Sequence, residues 1–277
     1  MMNTNLSLQQ EIRQQHDMPV IPAGTSHLLK ALANDNINYE QLATELEKFP
    51  SIAVKIVAMA NSAWASPISP ITSLRDSCSR VGVQLIRSVS IALSIAQAFD
   101  PTRCKFFDPK KFWVSALLTA ETAHLYAKDT PDICADTARL SGLLHNIGLL
   151  WLADKKPLET SDAIYKYQTS DKEITLTQML EDEHNISIYD VSGYLATELE
   201  LPDIIASTIV SRSILDNFGT GNPQISNHNL ACEVAAYILA DSQMHNADSH
   251  LPDNARLMHL KDKLTDIQTV AQILFFD

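Results

Sequence analysis

Glycine is scarce in this chain, with seven among 277 residues. Sparse glycine beside abundant helix formers points to helices rather than to turn-rich sheet. The sequence contains no glycine-rich phosphate loop and no G-x-S-x-G elbow, so two common catalytic frameworks are absent. Cysteine is also rare. Cys78, Cys104, Cys134 and Cys232 stand far apart, with no CxxC and no zinc-type spacing. They read as reduced thiols of a cytosolic protein, and no Cys/His pairing suggests a nucleophile. Basic runs are missing: Lys110-Lys111 and Lys155-Lys156 are only pairs, and the formal net charge is −12. That balance offers no general attraction for nucleic acid or an anionic membrane surface, so neither is expected as a partner. The longest charge-free apolar stretch, Leu140 to Ala153, is too short to span a bilayer and is broken by His145 and Asn146. Glu11, Arg13 and Asp17 interrupt the first twenty residues, which hold no apolar core of a signal peptide. The expected location is cytoplasmic.

What is present is a dense series of helix signals. Residues 1–17 are polar and read as a short leader. Asn38 with Gln41 forms a capping box before Leu42, Leu46 and Phe49. Pro50-Ser51 stops that helix and starts another, with Ile52, Ile56 and Met59 on one face. Ser73 with Asp76 suggests a second capping box. Gln84 to Phe99 reads as a buried helix in which only Arg87 is charged. Asp108-Pro109 is an N-cap followed by proline at the first helical position, and Thr130-Pro131 repeats the device before a helix that runs into GLLHNIGLL. Further starts fall at Thr175 with Gln178, at Ser187 with Asp190, and at Pro202. The loop 217–223 precedes a helix from near Asn229. No period-2 segment of useful length and no strand–helix alternation appears, so the expected class is all-α. Asp100-Pro101 marks the expected boundary between a lobe of residues 18–100 and a second of residues 101–277.

The most informative string is Gly142–Gly148, G-L-L-H-N-I-G. A histidine in such an apolar helical run has an ordinary reading as a core residue whose ring nitrogens find local partners. Other histidines invite even less. His124 reads as a surface or packing residue, and the spacing of His245, His250 and His259 does not place three ligands on one helix face. Trp64, Trp113 and Trp151 each sit in apolar context and are expected to fill the core.

The string nevertheless resembles the HD signature, in which a His-Asp pair occupies a G-L-L-H-D-I-G context. Met18-Pro-Val-Ile-Pro22, Asn61-Ser62-Ala63-Trp64, Ile71–Leu74, Val81-Gly82, Phe112-Trp113 and Leu201-Pro202 extend the resemblance, in order, to the HDOD family of HD-related output domains. The resemblance implies two helical lobes, the second an HD-like bundle, forming one HDOD unit. It also implies a role in bacterial signalling. In HD phosphohydrolases, imidazoles and carboxylates hold a divalent metal that activates water and polarises a phosphoryl oxygen. The corresponding positions here are Ser115, His145, Asn146 and Asp241, with accessory positions at Tyr189 and Arg212. Only His145 and Asp241 keep the ligand type. Asparagine brings no charge, serine is a poor ligand, and Arg212 repels a cation.

The expected function is therefore a non-catalytic signal-transduction or regulatory module, acting through a protein partner or a small ligand and needing no cofactor. The alternative is a metal-dependent phosphohydrolase with a degenerate site, in which His145 and Asp241 hold Mn, Fe, Mg or Ni. A third reading is a plain helical scaffold with the old site packed shut.

Overall fold

Caps written into the sequence set most of the helix starts in the computed structural model, which describes residues 23–32, 34, 36–170, 174–214, 227–232, 234–235 and 254–276. The helices are α1 Ala23–Leu32, α2 Tyr39–Leu46, α3 Pro50–Ala60, α4 Leu74–Val81, α5 Val83–Ala96, α6 Pro109–Ala127 and α7 Ala135–Leu144. They continue as α8 Ile147–Lys155, α9 Pro157–Thr169, α10 Leu176–His184, α11 Ile188–Glu198, α12 Asp203–Ile214, α13 Asn254–Asp262 and α14 Leu264–Phe275. Residues 227–232 and 234–235 are helical as well, and no strand occurs among the described residues. The fold is all-α. The expected leader and the loop 217–223 lie outside the described residues, as do Met18–Pro22, His245 and His250.

Asn38 Oδ1 accepts from the N–H groups of Glu40 and Gln41, while Gln41 Oε1 accepts from Asn38 N–H at 3.1 Å, closing the expected capping box. Asp108 caps α6 through Lys111 N–H at 3.0 Å, with Pro109 at the first position. Thr175 caps α10 through Gln178 N–H. Ser73 accepts from Asp76 N–H at 3.0 Å, but Asp76 turns its carboxylate to the Ser73 hydroxyl at 2.7 Å, so the reciprocal half of that box is not made. Thr130-Pro131 departs from expectation entirely. Thr130 donates its N–H to Ala127 O and its hydroxyl to Tyr126 O, finishing α6, and α7 starts only after Cys134. The hydroxyl is turned to the carbonyl behind it, and the next helix begins at Ala135, too far along the chain for Thr130 to be its N-cap.

α5 is buried from Ile86 to Ile95, including its one charged residue. Arg87 survives there because Nε donates to the Leu32 carbonyl at the C-terminus of α1 and Nη1 to Gln84 Oε1 at 3.0 Å. A cation at the end of a helix whose last carbonyls lack partners is favourable in both charge and hydrogen bonding.

The C-terminal helix crosses the expected lobe boundary. α14 packs against α6 and also against α3 and α5. Phe275 stacks on Trp113 with centroids 3.8 Å apart, and Lys55 of α3 reaches Ile273 O at 3.5 Å. One buried cluster accordingly runs from Leu28 to Leu274 through residues on both sides of Asp100. Among the described residues, no single helix is long and apolar enough to cross a membrane.

His184, at the end of α10, joins that helix to α8 and α9. Its Nε2 lies 3.1 Å from Thr160 Oγ1, which itself donates to Leu152 O at 3.1 Å. Thr160 has only one proton to give, so His184 Nε2 is the donor to it. Burial, and then nearby Lys156, hold the ring below its ordinary pKa of 6.5. The unfolded chain therefore binds the proton more readily, and stability present above pH 6.5 is lost as pH falls below it. Urea denaturation from pH 7.5 to 5 should show falling stability, with a shallower fall in His184→Gln.

Candidate functional site

α6 and α7 run antiparallel, and their register is set by three pairings. His124 Nδ1 meets Ala135 O at 3.1 Å, Arg139 Nε meets Glu121 Oε1 at 3.3 Å, and Gly142 lies against Thr119 and Ala120. A Cβ on Gly142 would stand 2.9 Å from Thr119 O and 3.0 Å from Ala120 Cα, so only glycine lets the two helices approach this closely.

The GLLHNIGLL string is not one helix. α7 ends at Leu144, α8 begins at Ile147, and His145-Asn146 form a two-residue break between them. The cause lies on the far side of the break. Gly148 sits so close to the first turn of α11 that a Cβ would collide with Ile188 O, and its N–H donates to Ser192 Oγ at 2.8 Å. Docking α8 on α11 while α7 stays docked on α6 requires the backbone to change direction between the two glycines.

The break presents His145 inward, 4% exposed. Its Nδ1 lies 2.7 Å from Gly142 O. A carbonyl only accepts, so Nδ1 carries the proton of that bond. Asn146 Oδ1 is buried and has no hydrogen-bond partner among the described residues. The side chain does not cap α8 either.

A second histidine stands beside the first. His228, 1% exposed, places its ring centroid 6.0 Å from that of His145 in an edge-on arrangement of 70°. Its Nε2 lies 3.8 Å from Cys232 Sγ one turn along the same helical stretch, and Asn227 Nδ2 ties that stretch to Ala123 O at 3.1 Å. Sequence reasoning missed His228, and it also missed the Cys/His pairing. The spacing of four residues between His228 and Cys232 was the available signal, because it puts both on one helix face. Both are buried, which removes Cys232 from solvent as a nucleophile.

The remaining expected positions are Tyr189, Arg212 and Asp241. Tyr189 is buried in the first turn of α11 and lies 3.4 Å through its hydroxyl from Thr177 Oγ1, toward α10. The backbone of Arg212 is in α12, and its side chain lies outside the described residues, as does Asp241. Of the expected set, the structure thus places His145 and Asn146 at the break, and His228 beside His145. Among the described residues no group of three His, Cys, Asp or Glu could hold a metal ion. The described side chains at the break, an imidazole and a neutral amide, bring no carboxylate of their own, and the one expected carboxylate, Asp241, lies outside the described residues.

Fold and site together define an all-helical protein with a His-Asn pair at a helix break where HD proteins carry His-Asp. The chain belongs to the HDOD family: the HDOD domain profile matches residues 18–214. Among solved structures, an HDOD domain protein of unknown function from Geobacter sulfurreducens is 19% identical with a TM-score of 0.75, covering 100% of both chains. A provisionally named signal transduction protein from Marinobacter aquaeolei VT8 is 18% identical with a TM-score of 0.74, over 93% of this chain and 60% of that one. A provisionally named phosphohydrolase from Shewanella amazonensis SB2B is also 18% identical with a TM-score of 0.74, over 98% of this chain and 97% of that one. At these identities the likeness is one of fold. No curated protein matches the chain.

Two sets of variants test the packing at the break. Gly148→Ala should lose about 2–3 kcal/mol in urea denaturation, because the added methyl meets backbone rather than a movable side chain. His145→Ala should lose about 2–4 kcal/mol by emptying a buried position and stranding Gly142 O, whereas Asn146→Ala should change stability by less than about 1 kcal/mol.

Proposed function

We propose that this chain is a non-catalytic signal-transduction module of the HDOD family, acting by binding a regulatory protein or a small ligand. Ser115, His145, Asn146, Tyr189, Arg212 and Asp241 are then the remnant of an HD site. The observation that carries this reading is Asn146. It replaces the charged member of the HD pair, and its buried oxygen has no partner among the described residues. An aspartate there without a metal would bury an unpaired charge at far greater expense, so loss of the carboxylate follows naturally once the metal is no longer needed. His145 meanwhile serves the fold, bonding Gly142 O across the break. The four cysteines stand far apart in the sequence with no paired spacing, which fits a reducing compartment, and we propose a cytoplasmic location on that ground.

The competing reading, a metal-dependent phosphohydrolase, needs His145 and Asp241 to hold a divalent ion. Metal analysis of untagged protein grown with Mn²⁺, Fe²⁺ and Ni²⁺ separates the two. The proposal expects less than about 0.1 equivalents of any of these metals and no turnover of phosphomonoesters or phosphodiesters. Near-stoichiometric metal that disappears in His145→Ala, together with phosphoesterase activity, would establish the competing reading instead.

A further inference from the structure

A second cavity lies away from the His145 break. A cleft of about 480 Å³ opens where the α4–α5 elbow, the facing ends of α6 and α7, and the α13–α14 junction meet. Its volume falls in the range of small-molecule sites. Asp136 and Arg139 of α7 line it, and they precede His145 by nine and six residues, about 13 Å and 9 Å of helical rise. Ser115, His145, Asn146 and Tyr189 do not line it.

The cleft's charges are unevenly paired. Among the described residues three cations and two carboxylates line it, in a chain whose formal net charge is −12. Arg139 takes both carboxylates, with Nε 3.3 Å from Glu121 and Nη1 3.0 Å from Asp136. Lys128 and Lys263 are left on the cleft wall without an acidic partner among the described residues. His124 adds no charge. Burial, and then Arg139, hold its pKa below the ordinary value, so the 3.8 Å approach of Nδ1 to Asp136 is not an ion pair at neutral pH.

Apolar groups line the cleft as well. Trp64, expected to fill the core, is only half-buried, flanking the core and forming one wall. Beside it, Met59, Leu117, Ile267 and Val270 line a narrow slot that shares Trp64, Leu85 and Glu121 with the cleft. An indole and an apolar slot, with two ammonium groups that have no acidic partner among the described residues, match a ligand with an apolar part and an anionic part.

We propose that this cleft is a binding site for a small aromatic anion, its ring against Trp64 and its phosphate, phosphonate or carboxylate between Lys128 and Lys263. The proposal rests on the reading of the chain as a ligand-responsive module and names the class of ligand. It locates binding in residues that the remnant HD site does not use. Ligand contact here would touch the α4–α5 elbow, α6, α7 and the α13–α14 junction at once, so occupancy would bias how these elements sit together.

The test uses the full chain and 1-naphthylmethylphosphonate, an aromatic anion with no hydrolysable ester. Titration calorimetry should show saturable 1:1 binding with accompanying change in tryptophan fluorescence. 1-Naphthalenemethanol, lacking the anion, and methylphosphonate, lacking the ring, should each bind at least about tenfold more weakly. The Lys128→Gln/Lys263→Gln double variant should lose at least about tenfold in affinity, since it removes both cations. Neither lysine has an ion pair among the described residues, so that variant stays informative if Trp64→Leu destabilises the protein. His145→Ala should bind as the unaltered chain does. No saturable binding, or binding unaffected by the lysine pair, would overturn the proposal while leaving the non-catalytic reading intact. Binding abolished by His145→Ala alone would also overturn it, by placing the ligand at the helix break. Metal-dependent turnover would instead strike at the non-catalytic reading.

Discussion

Near-contact of backbones at Gly142 and Gly148 is the constraint on which the centre of this protein depends. A methyl at the first would press on α6 and at the second would collide with α11. α7 and α8 are thus each pinned to a different neighbour within a few residues of one another. The chain between them cannot continue as a straight helix, and the break at His145-Asn146 is the consequence. Close-packed interiors do not yield gradually to an added atom, so these two positions fix the geometry on both sides.

That geometry gives His145 a place in the fold that does not depend on any metal. His145 sits at the end of α7 with its Nδ1 proton directed to Gly142 O, and His228 meets it edge-on. The ring completes the hydrogen bonding of a helix terminus and fills buried volume, and either contribution suffices to retain it. Nothing comparable retains the carboxylate. A charge at Asn146 would sit at an oxygen that has no described partner, with no structural contribution to offset it.

The cleft beneath Trp64 stands in a different relation to the fold. It is bounded by elements from both sides of the Asp100 boundary, and α14 binds the same elements together through Phe275 on Trp113 and the contact to α3. A ligand there would act on how helices from distant parts of the chain sit together, which is the kind of change a signalling module can transmit. The His145 break, by contrast, is pinned by glycine contacts and buried rings and offers little freedom to move.

The sequence by itself determined the helical class, the caps at Asn38, Asp108 and Thr175, the burial around Arg87, and the identity of the HDOD unit. These rest on local rules, such as hydrogen bonds to residues three positions away and the period of apolar side chains. It did not reveal the break inside GLLHNIGLL, because that break arises from α11 pressing on Gly148, 40 residues from Ile188. Thr130 misled as well, since its hydroxyl is turned to the helix behind and the next helix begins only at Ala135. His228, the half-burial of Trp64 and the unequal pairing of Arg139, Lys128 and Lys263 were likewise decided only by tertiary structure. Each depends on which residues far apart in the chain meet, and that is settled by how helices pack rather than by the pattern along any one of them.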